Sequence, residues 1–517
     1  SQEEFGNNML RVYKDKTKLS PYSYLADIRT AGEDTAMLPR RLSVRLVAPD
    51  AKFTNNNIVV DVPNLHRPIP LFILFRALGI ESDKDIIEMC LLDMEKNSDM
   101  IELFRPSIQD TTIICTRHTR GRVPQARCSK CKEQNSTEDN EKKYSYVLTQ
   151  CEAISYMAQF IKNRKDFNVI ECLNEYFLPN IGGNNYIEKA MFLGYMVYNL
   201  LSVSTGLQNE TDRDSYKFKR IKTSGSLLYG LFTEYFKVYS LKVKADLDKF
   251  MREPGSTDEK MKQVESPRYF PTKNEMNTGI KKAFKGRWGA TSYTREGKEG
   301  VIQDVKRLSY NSFMSHMRKV VTPMDDSTKI VKPHLLHNSQ YGLIDPLDTP
   351  DGSKIGLHKY LALGAHITES FTKENNQYFV DKILVESLRM VPIKYLLPSK
   401  VRNNTKVFLN GSWIGIFNNS DKYRQPNQIM DILHKMRLSG TFSPYVSISW
   451  NIQNNQIIIF TDAGRLTRPV FTVLGNKENT VGYEEQREKI MDNTFTWNEM
   501  LYGADSRDSP VPKENGE

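Results

Sequence analysis

The chain has 517 residues, with 72 Lys and Arg against 62 Asp and Glu, so its formal net charge is +10. This length predicts two to four domains, each with its own core, and the positive charge favours a polyanionic partner. No run of eighteen apolar residues occurs, which argues against a membrane span, and the opening sequence SQEEFGNNML is unlike a signal peptide. Six cysteines are too few for a disulfide framework in a chain of this length. These features together predict a soluble intracellular protein.

The pattern becomes helical from about residue 61. The apolar stretch 68–80 begins with Pro68, which suits a first helical turn, and stops at Gly79. Amphipathic spacing predicts another helix around 235–251, which is followed by a polar linker containing Pro and Gly.

Four side chains of types that can bind a metal ion lie between these helical regions. Cys115, His118, Cys128 and Cys131 are spaced as C-x2-H-x9-C-x2-C within a stretch rich in Arg and Lys. Two short ligand pairs joined by a loop suit a tetrahedral Zn²⁺ site, and Cys151 is an alternative fourth ligand. The pattern is not that of a standard zinc finger, so free thiols in a loop are the competing interpretation. Cys90 and Cys172, in apolar helical surroundings, are expected to be buried.

A strongly basic stretch with interleaved aromatic residues covers residues 268–319. It contains twelve Lys or Arg and four Asp or Glu, together with Trp288, Tyr293 and Tyr310. Cations suit phosphates and flat rings suit unstacked bases, so this composition favours single-stranded or melted nucleic acid. A solvated protein surface would also account for the charge.

Residues 337–357, HNSQYGLIDPLDTPDGSKIGL, are the most informative segment. Proline presets φ and glycine permits turn conformations that other residues avoid, so this spacing predicts one rigid loop that displays Asp345, Asp348 and Asp351. Further along, residues 407–415 alternate apolar and polar side chains around a turn and predict a β-hairpin. Residues 457–469 read IIIFTDAGRLTRP, in which Arg465 and Arg468 are interpreted as structural.

These segments together resemble, in order, the second-largest subunit of multisubunit DNA-dependent RNA polymerases. The signature of that family, H-N-x-x-x-G-L-x-C-P-x-E-T-P-E-G-x-x-x-G-L, is similar to residues 337–357. Its ETPEG core stands here as Asp348, Thr349, Pro350, Asp351 and Gly352, and Asp345 replaces the family's Cys. Such departures are typical of a divergent member, for example one from a large DNA virus.

The resemblance implies an α+β multidomain fold made of four of the family's regions. We expect part of the protrusion at 1–40, lacking its N-terminal part because of a split gene or a fragment, and a return to it at 235–268. The remaining regions are the lobe at 41–234 with a Cys-rich insertion at 112–150, the fork at 269–349, and the β-rich external region with a polar tail at 350–517.

The same resemblance implies which residues contact nucleic acid. The loops at 272–279 and 291–299 correspond to the family's fork loops 1 and 2, which lie near the upstream hybrid and the downstream edge of the bubble. His316 could equally be a packed core histidine. The full predicted set of nucleic-acid-binding residues is Arg287, Arg295, Lys298, Gln303, Lys306, Arg307, His316, Arg318 and Lys319.

The function that this resemblance implies is to shape the active-centre cleft of a nucleotidyltransferase and to contact downstream DNA and the RNA–DNA hybrid. No catalytic residue is expected in this chain, because the resemblance implies that Mg²⁺ is held mainly by the largest subunit. Zn²⁺ is possible in this chain. The expected partners are that largest subunit, a chain or segment carrying the hybrid-binding, wall and clamp portions, smaller subunits, DNA template and RNA transcript, with no membrane. The expected location is the nucleus or cytoplasm, or a viral factory or virion if the protein is viral.

Two alternatives from other classes remain at this point. One is a free-standing, zinc-containing nucleic-acid-binding module without polymerase partners. The other is a hydrolase that uses Asp345, Asp348 and Asp351 with Mg²⁺. Neither accounts for the ordered segments on both sides of the aspartates.

Overall fold

The computed structural model describes residues 1–17, 20–32, 39–49, 57–112, 114–115, 144–145, 147–162, 164–252, 275–289, 301–324, 330–396, 401, 403–420, 425–470 and 491–492. They form two compact units, each assembled from separate stretches of chain. The first unit contains residues 1–5, 214–369 and 463–471, and the second contains residues 6–213, 370–462 and 472–517. Helices and sheets are mixed throughout, as expected for an α+β protein.

The strands within the described residues are short and belong to several sheets. In chain order they are β1 (Gln2–Phe5), β2 (Arg11–Lys14), β3 (Tyr22–Thr30), β4 (Arg40–Val47), β5 (Ile58–Asp61), β6 (Ile69–Pro70), β7 (Ile114–Cys115), β8 (Tyr144–Ser145), β9 (Lys219–Lys222), β10 (Lys319–Val321), β11 (His358–Tyr360), β12 (His366–Ile367), β13 (Val391–Pro392), β14 (Thr405–Leu409), β15 (Ser412–Phe417), β16 (Ser447–Asn451), β17 (Gln456–Phe460) and β18 (Leu466–Thr467).

The helices of the same residues vary from six to twenty-nine residues in length. They are α1 (Leu71–Ala77), α2 (Asp83–Leu91), α3 (Arg105–Thr112), α4 (Gln150–Ala158), α5 (Asp166–Glu175), α6 (Tyr186–Ser204), α7 (Ser224–Arg252), α8 (Glu275–Phe284), α9 (Tyr310–Met317), α10 (Lys373–Tyr378) and α11 (Pro426–Leu438), with a π-helix at Phe379–Ser387. No helix of the described part is long and apolar enough to cross a membrane.

The second unit contains an antiparallel sheet with the order β2-β3-β4-β5-β6. On β4, Leu42, Val44 and Leu46 are buried in the core, while Arg41 and Arg45 alternate with them on the other face, as the period of two along a strand requires. Helix α1 begins at Leu71 and not at Pro68 as predicted, because Ile69 and Pro70 pair with β5 as strand β6. The helix is buried on every side, as its unbroken apolar sequence predicts.

A close helix–helix contact in this unit depends on a glycine. Helix α6 packs against α2, and a Cβ atom on Gly194 would lie 2.4 Å from the carbonyl oxygen of Met89. That neighbour is backbone and cannot rotate away. The absence of a side chain at Gly194 therefore permits the close approach of the two helices.

We expect Gly194→Ala to lower the free energy of unfolding by about 1–3 kcal/mol, because the added methyl group overpacks a close helix contact. Gly230→Ala in α7 is the matched control, since a Cβ atom added there would have no neighbour within 4 Å. That control should raise the stability by about 0.5–1 kcal/mol, because Ala restricts the unfolded chain. Urea denaturation of both variants measures the difference, and equal effects would contradict the packing assignment.

A second sheet in this unit has the order β13-β15-β14-β17-β16 and packs its own apolar cluster around Phe379, Leu384 and Phe417. The hairpin predicted at 407–415 is confirmed as β14 and β15. Asn410 and Gly411 connect the strands, and both have positive φ, 48° and 86°. Two residues with positive φ are the usual requirement of a tight type I′ hairpin.

The first unit is organised by a four-stranded sheet with the order β11-β10-β1-β9. Strand β1 is central, parallel to β10 and antiparallel to β9. The strands come from widely separated parts of the chain, so the sheet joins the N-terminal residues to the segment that contains residues 319–360. Helix α7 confirms the amphipathic helix predicted at 235–251 and packs Leu227 and Leu231 near Ala283 and Trp288.

Candidate nucleic-acid interface

A buried ionic network lies at the centre of the first unit's sheet. Glu3 on β1 is 3% exposed, forms an ion pair with Lys219 on β9, and lies 3.1 Å from Lys359 Nζ on β11. The Tyr216 hydroxyl donates a hydrogen bond of 2.7 Å to Glu3 Oε2. Burial alone would raise the pKa of Glu3, but Lys359 and Lys219 outweigh it and hold the pKa below its ordinary value. The carboxylate is therefore charged and fully engaged.

This network is connected to the aspartate-containing loop through Tyr216. The Tyr216 backbone N–H donates to Ser339 Oγ at 2.9 Å, and Ser339 Oγ lies 2.6 Å from His337 Nδ1. His337 and Ser339 begin the segment 337–357. The sequence alone did not identify this connection, because Tyr216 and Ser339 are 123 residues apart in the chain.

We expect Glu3→Gln to destabilise the first unit by about 3–5 kcal/mol, because it leaves Lys359 as a buried and unpaired charge. Glu4→Gln is the matched control on the same strand. Its ion pair with Lys222 is more exposed, so the loss should be at most about 1 kcal/mol. Denaturant unfolding with a fluorescence or circular-dichroism readout measures both, and similar losses would show that the buried network is not the dominant contact.

Residues 337–357 form the predicted loop, and hydrogen bonds from its own side chains to its backbone hold its shape. Asp345 Oδ1 accepts hydrogen bonds from the backbone N–H groups of Leu347 at 2.9 Å and Asp348 at 3.3 Å. Thr349 Oγ1 accepts from Gly356 N–H and donates to the His358 carbonyl, which closes the loop. An aspartate caps its own turn well, so Asp345 supplies a contact that the family's cysteine would make only weakly.

The loop also contacts the helix that precedes it in the first unit. Ser315 on α9 donates a hydrogen bond of 3.1 Å to Asp348 Oδ2. Asp348, Asp351 and Gly352 are exposed, so the core of the signature lies at the surface of the unit. The hydrogen bond from Ser315 stabilises the shape of the loop, while Asp351 and Gly352 remain accessible to a partner.

We expect Gly356→Ala to disrupt this loop more than Gly352→Ala does. Both glycines have positive φ, 72° and 82°, so either substitution carries backbone strain of about 1 kcal/mol. Only at Gly356 would the new Cβ meet backbone, 2.5 Å from the His334 carbonyl oxygen, whereas nothing lies within 4 Å at Gly352. Comparison of the thermal stabilities and proteolytic cleavage of the two variants separates the steric effect from the strain. A larger loss of thermal stability for Gly352→Ala than for Gly356→Ala would contradict the assignment of a steric clash at Gly356.

The hydrolase alternative required the three aspartates to hold a metal ion together. Asp345 instead caps a turn and Asp348 accepts from Ser315. Among the residues that the structure describes, no three His, Cys, Asp or Glu side chains are arranged to hold a metal. The described geometry therefore supports an architectural role for the loop and gives the hydrolase hypothesis no support.

Four of the predicted nucleic-acid-binding residues come together beside α9. His316 Nε2 lies 3.3 Å from Gln303 Oε1, and Lys319 Nζ donates to the same oxygen at 3.1 Å. The Lys306 backbone N–H donates to His316 Nδ1 at 3.2 Å. We call Gln303, Lys306, His316 and Lys319 the cationic cluster. His316 is half-buried within it and is not a residue of the hydrophobic core.

The two lysines of the cationic cluster repel each other. Burial lowers the pKa of His316, and the neighbouring Lys319 and Lys306 lower it further. Burial also lowers the pKa of Lys319, assisted by Lys306 and Lys354. Such mutual effects indicate a local positive potential, which an anion would relieve.

The other predicted contacts are distributed differently. Arg307 is exposed, with its guanidinium 5.8 Å from the Phe313 ring centre. The Arg318 guanidinium donates hydrogen bonds to the carbonyl of Ala362 and, at 3.4 Å, to that of Leu363. Arg318 therefore stabilises the backbone of a turn. Arg287 is exposed beside the buried Trp288, apart from these contacts. Arg295 and Lys298 lie outside the described residues.

The proposed zinc ligands can be described only in part. His118, Cys128 and Cys131 lie outside the described residues, and only the backbone of Cys115 is described, in β7. Cys151 is an exposed free cysteine at the start of α4. The zinc site therefore remains a prediction. Cys90 and Cys172 are buried as expected, and burial raises the pKa of Cys172 to about 11, which makes it an unreactive thiol.

The segment near residue 465 has a structural role in the first unit. Arg465 is 6% exposed, and its backbone N–H donates to Thr368 Oγ1 at 3.1 Å. The Arg468 guanidinium lies 5.4 Å from the ring centre of Tyr341, within the signature segment. These contacts agree with the structural interpretation of both arginines.

Three family models match the chain in order. Residues 45–120 match RNA polymerase Rpb2, domain 2; residues 303–367 match domain 3; and residues 407–474 match domain 4. The domain 3 match contains the cationic cluster and the signature loop, which is residues 337–357. It is thus the matched region in which most of the predicted site lies.

Similar proteins come from fungi, a virus and an archaeon. The chain is 31% identical over 500 residues to DNA-directed RNA polymerase II subunit RPB2 of Meyerozyma guilliermondii, covering 95% of this chain and 36% of the relative. It is 28% identical to DNA-directed RNA polymerase subunit 2 of Acanthamoeba polyphaga mimivirus, covering 86% and 35%, and 24% identical to DNA-directed RNA polymerase subunit Rpo2 of Saccharolobus shibatae, covering 96% and 40%.

The chain therefore spans between a third and two fifths of the length of these curated relatives. The matches favour a polymerase subunit and give no support to a free-standing zinc module. Nearly all of the chain aligns with proteins of one kind, and the matched domains occur in numerical order. The chain is a homologue of the second-largest subunit of multisubunit DNA-directed RNA polymerases and carries its Rpb2-type domains 2, 3 and 4.

Proposed function

We propose that this chain forms one wall of the nucleic-acid cleft of a DNA-directed RNA polymerase, where it contacts downstream DNA and the RNA–DNA hybrid. The observation that carries this proposal is the convergence of Gln303, Lys306, His316 and Lys319 beside the exposed signature loop. The sequence separates these residues by up to sixteen positions, and the fold brings them within hydrogen-bonding distance of one another.

The chemistry of the cationic cluster suits a phosphate backbone better than a protein partner or a small metabolite. Lysine ammonium groups attract phosphate without reading base sequence, which is what a general polymerase requires. The exposed side chain of Arg307 extends the positive surface next to Lys306. Burial, followed by the neighbouring lysines, lowers the pKa of His316 and of Lys319, and an incoming strand would offset the repulsion from these lysines.

The reaction belongs to the assembled enzyme in this proposal. Two Mg²⁺ ions, held mainly by the largest subunit, support attack of the RNA 3′-hydroxyl on a nucleoside triphosphate. This chain positions nucleic acid and contributes electrostatic stabilisation, while the catalytic Mg²⁺ ligands lie mainly in the largest subunit. Its further partners are the chain or segment with the hybrid-binding, wall and clamp portions, and smaller subunits. Zn²⁺ at Cys115, His118, Cys128 and Cys131 remains part of the proposal.

The proposed regions follow the family's order. Residues 1–40 and 235–268 belong to the protrusion, and residues 41–234 to the lobe with the insertion 112–150. Residues 269–349 form the fork and residues 350–517 the external region. The matches to Rpb2 domains 2, 3 and 4 support this order, and they begin and end at other residues.

We expect Arg307→Ala to weaken binding of an RNA–DNA hybrid with downstream duplex, and to reduce the slope of log K against log salt by about one, because one phosphate contact is lost. Fluorescence anisotropy between about 50 and 200 mM salt measures the slope. Lys382→Ala, an exposed lysine paired with Glu386 on the second unit, is the charge-matched control and should leave the slope unchanged.

Arg318→Ala should behave differently from Arg307→Ala, because its guanidinium holds the carbonyls of Ala362 and Leu363. It should lower thermal stability and have a smaller effect on the salt slope. Elongation by the assembled polymerase provides the functional readout for both variants. If Arg307→Ala left both elongation and the salt slope at wild-type values, the placement of this surface in the nucleic-acid cleft would be wrong.

A further inference from the structure

His316 occupies the centre of a hydrogen-bond relay that connects three segments of the first unit. It lies on α9, its Nδ1 accepts from the Lys306 backbone on the segment before the helix, and its Nε2 faces Gln303 Oε1. Lys319 on β10 donates to the same oxygen. One imidazole thus joins the segment that carries Lys306 and Arg307 to the helix and the sheet.

The donors of this relay determine the protonation state of the ring. A backbone N–H can only donate, so Nδ1 of His316 must carry no proton. The ammonium of Lys319 can only donate, so the Gln303 atom that it contacts must be the amide oxygen. That oxygen can only accept, and His316 Nε2 must therefore donate to it. All three hydrogen bonds form together only when the ring is neutral and protonated at Nε2.

We propose that His316 is a positioning residue whose neutral, Nε2-protonated ring holds Gln303 and the segment of Lys306 in the arrangement that binds the nucleic-acid backbone. This inference rests on the proposed function and deepens it. Protonation of the ring at Nδ1 breaks the bond from Lys306 N–H and releases the segment. His316 therefore does not act as a cation toward phosphate.

The surroundings keep the ring neutral at physiological pH. Lys306 faces it from the preceding segment and Lys319 from β10, while the Asp348 carboxylate on the signature loop is engaged by Ser315. Burial and these cations lower the pKa of His316 below its ordinary value of 6.5. The relay is complete above that pKa and is lost as the pH falls through it.

Two substitutions of His316 each remove a different hydrogen bond of the relay. In His316→Asn the amide oxygen can take the place of Nδ1 and accept from Lys306, but the donor to Gln303 is lost. In His316→Gln the amide nitrogen can replace Nε2, but the acceptor for Lys306 is lost. Each variant should weaken binding of an RNA–DNA hybrid by about two- to tenfold, the effect of one hydrogen bond. His66→Gln, at an exposed histidine of the second unit, is the control.

The pH profile of the full chain distinguishes positioning from direct charge. The affinity of the wild-type chain for the hybrid should fall as the pH is lowered from about 7.5 to 5.5, below the ordinary histidine pKa, and His316→Gln should lose this dependence. Affinity that instead rises on acidification, with the rise abolished in His316→Gln, would show that His316 binds phosphate as a cation and would overturn the proposal. Unchanged affinity in both variants would also overturn it.

A measurement without nucleic acid separates failure of this inference from failure of the proposed function. Nitrogen NMR of the chain labelled at histidine should show that His316 is protonated at Nε2 and unprotonated at Nδ1 at pH 7. A ring protonated at Nδ1 overturns the positioning role, whether or not the chain binds nucleic acid. The expected tautomer combined with an absence of hybrid binding would overturn the role in binding and with it the proposed function.

Discussion

The buried carboxylate of Glu3 is the interaction on which the first unit most depends. Two lysines and a tyrosine converge on it from β9, β11 and the segment before β9, so one charge holds strands that are distant in sequence. A carboxylate removed from water is costly unless it is paired and hydrogen-bonded, and here every contact is supplied by a different segment. Loss of the segment that carries Glu3 would leave Lys219 and Lys359 without this counter-charge.

The shape of the signature loop, residues 337–357, depends on the same arrangement. Tyr216 donates one hydrogen bond to Glu3 and another, through its backbone, to Ser339 at the start of the loop. Asp345 and Thr349 then close the loop on itself. The result is a surface element whose shape is determined from the interior, while Asp351 and Gly352 remain exposed. A partner could bind this loop with little loss of conformational entropy.

The cationic cluster illustrates how a charged surface is organised before its ligand arrives. Lys319 is held by Gln303, Gln303 by His316, and His316 by the backbone of Lys306. Electrostatic repulsion within the cluster is tolerated because these hydrogen bonds and the surrounding sheet oppose it. Preorganised cations reduce the reorganisation that binding requires, which suits a cleft through which nucleic acid moves without sequence preference.

Local patterns in the sequence were sufficient to predict a buried helix within residues 68–80, the hairpin at Asn410-Gly411 and the loop that displays the aspartates, and the resemblance of ordered motifs predicted the α+β class and the relation to RNA polymerase subunits. Proline, glycine and apolar periodicity act over a few residues, so their effects can be read from the chain alone. The folded structure was needed to show that Arg318 holds a turn while Arg307 is exposed, and that Glu3 pairs with Lys359. Such contacts join residues far apart in the chain, and the pairing of distant side chains depends on sheet order, which no local pattern in a single sequence specifies.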